Sequence, residues 1–302
     1  MVKKRCYFSR FKQIYDKKYK KLMAIPLAIF IASLLILGFW KASTGEFVSK
    51  DVSLTGGLSV TIQTDKALDV NRVKVDLSRE LGTSVNVKQL TSIGTAGAVG
   101  YVIELEKVAD EATILEKIQT VSRIELTPEN YSVEEMSSAL GSAFWRSTLK
   151  AVAIAFICMA VVVLLYFRNP VVSGAIILSV IFDLVGTLAV VNLFGLRLST
   201  AGVAALLMVL GYSVDTDILL SSRVLKQREG TILDRIISAA RTGLTMQLTT
   251  LSALFVMFLV SPAEILKAIA LILIISIFID ISSTWLMNAG LLRWWLEVRH
   301  KE

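Results

Sequence analysis

Six long apolar runs constrain the chain more than any other feature, near residues 22–40, 148–167, 171–194, 198–221, 243–262 and 265–290. Each is about as long as the roughly 20 residues an α-helix needs to cross a bilayer. Lipid offers no partner to backbone N–H and C=O groups, so such runs fold as helices, and six of them predict a polytopic α-helical membrane protein. Composition agrees: 54% of the 302 residues are hydrophobic and 19% are charged, with mean hydropathy +0.65. The first run is longer than a secretory signal's apolar region and lacks a small-residue cleavage site, which predicts a retained anchor.

Charge then orients the spans. The tail MVKKRCYFSRFKQIYDKKYKK, residues 1–21, holds nine Lys or Arg and is expected in the cytoplasm. Alternation puts residues 41–147 outside, FRNP (167–170) inside and residues 223–243 inside. Residues 261–267 fall outside and the tail 291–302 inside. Every inward segment carries Lys or Arg, whereas only Arg197 and Lys267 sit in the short outward loops. The predicted location is the cell membrane, multi-pass, with both termini cytoplasmic. The net charge of +7 therefore does not point to nucleic acid, since residues 43–146 hold 15 acidic and only 10 basic side chains. Cys6 and Cys158 lie in unlike surroundings, the basic tail and an apolar run, and are not expected to pair.

The segment 41–147 reads as one α+β unit outside the membrane, after the first helix, and 148–290 as a five-helix bundle. Leu58, Val60 and Ile62 alternate as in a half-buried strand, and Val70, Val73, Leu77 and Leu81 recur at helical spacing. Val85 and Val87 alternate again, and Gly94, Gly97 and Gly100 supply a turn. Tyr101, Ile103 and Leu105 give a third strand, Ile114, Leu115, Ile118 and Val121 a second helix, and residues 130–133 a last extended piece. The order β-α-β-β-α-β predicts a ferredoxin-like domain. Residues 232–241 carry an apolar face beside Asp234, Arg235 and Arg241, which fits either an interfacial amphipathic helix or a connecting helix packed on its neighbours.

Enzymatic chemistry finds little material. His300 is the only histidine, no GxxxxGK[ST] loop occurs, and no metal or cofactor site is expected. The protein is predicted not to be an enzyme. Any work it performs must draw on an ion gradient or a partner.

What remains are charges inside apolar runs: Asp183 in the third, Asp215 and Asp217 in the fourth, Asp280 in the sixth, and Arg241 opening the fifth. A charge at the bilayer centre costs on the order of 2.5–3.5 kcal/mol, so these groups must face the bundle, pair, or carry protons. Asp215 and Asp217 lie about 200° apart around a helix and cannot share a face. Asp215 shares a stripe with Met208, Gly211 and Ile218, and Asp217 one with Leu210, Ser213 and Leu220. Gly211 and Ser213 allow a neighbouring helix to approach. Asp215 lies roughly 9 Å from the cytoplasmic edge, at about 1.5 Å per residue, so an Asp215–Arg241 pair inside the bundle is expected. Asp217 is expected at the inner interface, at a partner contact, or in the relay itself. Gln247, Thr249 and Thr250 extend a polar track along the fifth run. The arrangement fits a proton or ion relay, or a static ion pair that fixes packing.

Five stretches sharpen this reading: DVSLTGG (51–57), SSALGSAFWRS (137–147), FDL (182–184), GYSVDTDILLSSRV (211–224) and RTGLTMQLTTL (241–251). With the six-run layout, they make nearly the whole chain resemble the SecF family of the SecD/SecF protein-export proteins, in the resistance–nodulation–division superfamily. The resemblance implies a non-enzymatic subunit that pairs with SecD beside a SecY-type translocon. It would use the proton motive force to help draw a translocating polypeptide through the lipid bilayer's channel. It also places the family's functional charges on the GYS segment and Arg241. Bacterial members carry their aspartate at the position of Thr216, whereas acids at 215 and 217 match an archaeal-type pattern. The alternatives are half of a lipid or drug transporter of the same superfamily, or a scaffold subunit with static buried charges.

Overall fold

The computed structural model describes residues 19–83, 85–91, 98–105, 110–227, 229–261 and 263–299. Most of the basic tail with Cys6, the turn glycines Gly94 and Gly97, and His300 lie outside the described residues.

Six helices are long and apolar enough to cross a membrane: Tyr19–Thr44, Leu140–Phe167, Pro170–Leu193, Thr200–Lys226, Ile232–Val260 and Ile265–Arg299. Within these spans lie α1 (Ala24–Thr44), α5 (Ser138–Phe167), α6 (Pro170–Leu193), α7 (Thr200–Lys226), α8 (Ile232–Val260), α9 (Glu264–Ser282) and α10 (Ala289–Arg299). Local chemistry sets their starts. Ser137, Asn169, Ser199 and Thr231 accept N–H bonds as N-caps, Pro170 begins α6, and Thr231 with Asp234 forms a capping box on α8. The expected short helix at 232–241 is instead the first turns of α8, which runs unbroken for 29 residues. Leu233, Ile236 and Ala239 are buried there, and Arg223 donates to the Ser238 carbonyl at 2.9 Å. Packing on neighbours, not a membrane surface, uses that apolar face.

Between the first two spans sits a four-stranded sheet. Its elements run α2 (Val52–Thr55), β1 (Gly57–Gln63), α3 (Val70–Leu81), β2 (Val85–Thr91), β3 (Ala98–Leu105), α4 (Glu111–Ser122) and β4 (Tyr131–Met136). The strand order is β2-β3-β1-β4 and every neighbouring pair is antiparallel, with Leu58 opposite Leu105 and Val60 opposite both Ile103 and Val133. The alternating residues Leu58, Val60, Ile62, Tyr101, Ile103 and Leu105 point to one face. They bury against Val73 and Leu77 of α3 and Ile114 and Ile118 of α4.

Among the helices, α6 and α7 are the interior pair, each with over half of its most apolar window buried; the first, second and fifth spans are mostly exposed. The sixth span changes pitch midway. Ser283–Asn288 is π-helical, and the Ala289 N–H donates to the Thr284 carbonyl. Such turns widen a helix and leave side chains that α-geometry would not align.

Candidate functional site

Three polar stripes meet inside the bundle. Ser179, Asp183 and Thr187 recur at four-residue steps on α6, and Ser213, Asp217 and Ser221 on α7; Ser276, Asp280, Thr284 and Asn288 do so along the sixth span. Residues four apart share a helix face, and each of these side chains is buried. The stripes converge because lipid rejects them and the interior supplies donors.

Asp183, Asp217 and Asp280 are each fully buried. Asp183 Oδ2 accepts a hydrogen bond from the Ser213 hydroxyl, and Oδ1 one from Ser283 Oγ at 2.6 Å. Asp280 Oδ2 accepts from Gln247 Nε2 at 2.6 Å. Asp217 Oδ1 accepts from Asn288 Nδ2 at 2.7 Å, while its Oδ2 has no partner among the described residues. The Gln247 amide is oriented by its other end: Trp285 Nε1 can only donate and lies 3.0 Å from Gln247 Oε1, which turns the NH₂ toward Asp280.

The hydroxyl of Thr284 bridges two of the acids. It lies 3.0 Å from Asp217 Oδ1 and 2.9 Å from Asp280 Oδ1, yet carries one hydrogen. It can donate to only one carboxyl; the other contact becomes a hydrogen bond when that carboxyl carries a proton. Among the described residues no Lys or Arg nitrogen pairs with any of the three acids. Three ionised carboxylates without a cation at this depth would cost several kcal/mol each. No group of three or more His, Cys, Asp or Glu side chains among the described residues could hold a metal ion.

The sequence reading is corrected at Asp215. Asp215, expected to face the bundle, is exposed, and Asp217 is fully buried among the other membrane acids, one of the three places open to it. No Asp215–Arg241 ion pair occurs among the described residues, and Arg241 also lies on an exposed face. Gly211 shares the open face with Asp215: a Cβ there would meet nothing within 4 Å, so it seats no neighbouring helix among the described residues. Ser213 and Gln247 do enter the cluster. Thr216 is buried and points its methyl toward Gly243, whereas Thr250 donates to the Met246 carbonyl of its own helix. Thr249 is exposed. Ser283, Thr284, Trp285 and Asn288 went unnoticed in the sequence, although the four-residue spacing from Asp280 to Thr284 to Asn288 was there to read.

Residues 116–298 match the family model described as protein export membrane protein SecD/SecF, C-terminal. The chain is 40% identical to a protein-export membrane protein SecF of Methanocaldococcus jannaschii, over 95% of this chain and 99% of the relative. It is 36% identical to a SecF of Thermococcus gammatolerans, over 92% and 85%. Among solved structures, SecDF of Thermus thermophilus, a translocon-associated membrane protein, superposes with a TM-score of 0.74 at 21% identity. That match covers 93% of this chain but only 38% of the SecDF chain, so the fold corresponds to a part of a longer protein.

Proposed function

The chain belongs to the SecF branch of the SecD/SecF protein-export family, and on that premise we propose that it is an accessory subunit of Sec-dependent export, coupled to the proton motive force. The observation that supports the coupling is the Thr284 hydroxyl between Asp217 and Asp280, whose one hydrogen completes both contacts when one of the two buried carboxyls carries a proton. Asp183, Asp217 and Asp280 act as the relay; Ser213, Gln247 and Asn288 orient them. Proton arrival from one side and loss to the other changes the cluster's charge, and with it the donors that hold α6, α7 and the π-helical turn together. One charge crossing 100 mV supplies about 2.3 kcal/mol, enough to bias such a rearrangement.

The open face of α7, with Met208, Gly211 and Asp215, and the exposed Arg241 of α8 suit contact with a SecD half. An acid on the outside of a membrane helix is costly against lipid and inexpensive against a polar partner. The sheet unit, whose β-α-β-β-α-β order matches a ferredoxin-like domain, lies outside the membrane in this reading, with the termini in the cytoplasm. The SecY-type channel and the translocating polypeptide complete the assembly.

The test is co-purification with a SecD-like six-span protein and the channel, followed by export assays on Asp183→Asn, Asp217→Asn and Asp280→Asn. We expect each variant to assemble at normal abundance and to lose gradient-stimulated export. Normal export by all three overturns the coupling.

A further inference from the structure

The DVSLTGG stretch plays no part in the buried cluster, and its contacts define a joint. Residues 47–53 form a strap against the loop that joins α6 to α7. Asn192 Nδ2 donates to the Phe47 carbonyl at 2.7 Å, the Leu198 N–H to the Ser49 carbonyl at 2.7 Å, and the Asp51 N–H to the Leu198 carbonyl at 2.9 Å. The Thr200 N–H donates to Ser53 Oγ at 3.2 Å. The fit is tight beyond the strap as well. A Cβ at Gly141 of α5 would lie 2.6 Å from the Gly56 nitrogen; one at Gly57, where φ is +137°, would lie 2.5 Å from the Leu105 carbonyl oxygen. The strap thus joins the sheet to the helices that carry Asp183 and Asp217.

On the sheet side, Asp51 meets Lys88 of β2 and Glu104 of β3. Lys88 Nζ is 2.5 Å from Glu104 Oε1 and 3.9 Å from Asp51 Oδ1, and Asn86 Nδ2 donates to Glu104 Oε2 at 2.9 Å. Asp51 Oδ1 also accepts the Val52 N–H at 2.9 Å, capping α2. The Asp51 and Glu104 carboxyls thus converge on one ammonium, and a single proton on either acid balances the charge of the trio. The other charged groups nearby are Lys50, paired with Glu46 at 2.5 Å on the strap, and Arg197, which lines the adjoining hollow.

We propose that Asp51 and Glu104 form a single-proton binding site at the joint between the sheet and the membrane helices, so that the joint responds to the acidity of the compartment the sheet faces. With the proton bound, Asp51, Glu104 and Lys88 sum to zero charge; without it, two carboxylates face each other beside one ammonium. Burial pushes Asp51 up to about 6, against the pull of Lys88. Burial also acts to raise Glu104, but Lys88 and the donors around it outweigh that and hold it below its ordinary value. The proton therefore resides on Asp51. This site is independent of the buried cluster and of its proposed role.

Infrared difference spectroscopy of the full-length protein in lipid nanodiscs, between about pH 4 and about pH 8, reads the protonated-carboxyl stretch across this range. The wild type should show a component with a midpoint near 6. Asp51→Asn, which keeps the cap, should remove that component and leave the rest. Glu104→Gln should move the midpoint down and Lys88→Met should move it up, since they delete charges of opposite sign. A component near 6 that Asp51→Asn leaves at its wild-type amplitude overturns the proposal, as does a shift in the same direction for the other two variants.

Discussion

Asp217→Asn separates a proton-carrying cluster from a static charge network. Asparagine has the shape of aspartate, so its carbonyl can keep the donations from Thr284 and Asn288, now made at 3.0 and 2.7 Å. Its NH₂ takes the place of Oδ2, which has no partner among the described residues to lose. If the cluster carries protons, the exchange is close to neutral-for-neutral and costs about 0.5–1.5 kcal/mol, the worth of one rearranged hydrogen bond. If Asp217 were one half of a fixed buried ion pair, removing its charge would cost about 3–5 kcal/mol. Thermal unfolding of the purified protein in mild detergent distinguishes these ranges, and export in cells at matched abundance gives the functional half. The expected result is a small loss of stability with loss of gradient-stimulated export. A stability loss of 3–5 kcal/mol, or undiminished export, refutes the reasoning.

Three further outcomes follow from particular contacts. A Cβ at Gly243 would lie 2.2 Å from Trp285 Cζ2, so Gly243→Ala should displace the indole that orients Gln247 and cost about 1–3 kcal/mol, measurable by thermal unfolding. Asp215→Asn should leave the isolated chain within about 0.5 kcal/mol of wild type and weaken co-purification with the SecD half, read by pull-down. Asp51 is raised to about 6, so its contribution to stability is full below its ordinary value of 3.8 and fades as pH rises through about 6. Glu104, lowered, acts in the opposite sense, its contribution lost as pH falls below its ordinary value. The wild-type melting temperature minus that of Asp51→Asn should therefore decline between about pH 4 and about pH 6.

The spans and the order of strands were legible because each follows from a single periodicity: runs of about 20 apolar residues, alternation at Leu58, Val60 and Ile62, and helical spacing at Val73 and Leu77. The four membrane acids were legible because a carboxyl in an apolar run stands out. Which of Asp215 and Asp217 turns inward was not settled by nearness to Arg241. The deciding signal was company: Asp217 shares its face with Ser213 and Ser221, while Asp215 shares its face with Gly211 and Met208. In lipid the polar stripe is the interior one, the inverse of the rule for a water-soluble helix. The π-helical turn had no such signal. It is stabilised by contacts from other helices, as Trp285 on Gln247 and Thr284 on Asp217 show, and tertiary contacts of that kind leave no period in the local sequence.

Proton movement through the cluster is the central claim, and proton flux tests it most directly. The chain, its SecD half and the channel would be reconstituted in vesicles with a pH-sensitive dye inside, and a gradient imposed during export. Wild-type complex should carry protons inward along the gradient as polypeptide moves. A complex bearing Asp183→Asn, Asp217→Asn and Asp280→Asn together should assemble and carry none. Flux at the wild-type rate in that triple variant would contradict the account.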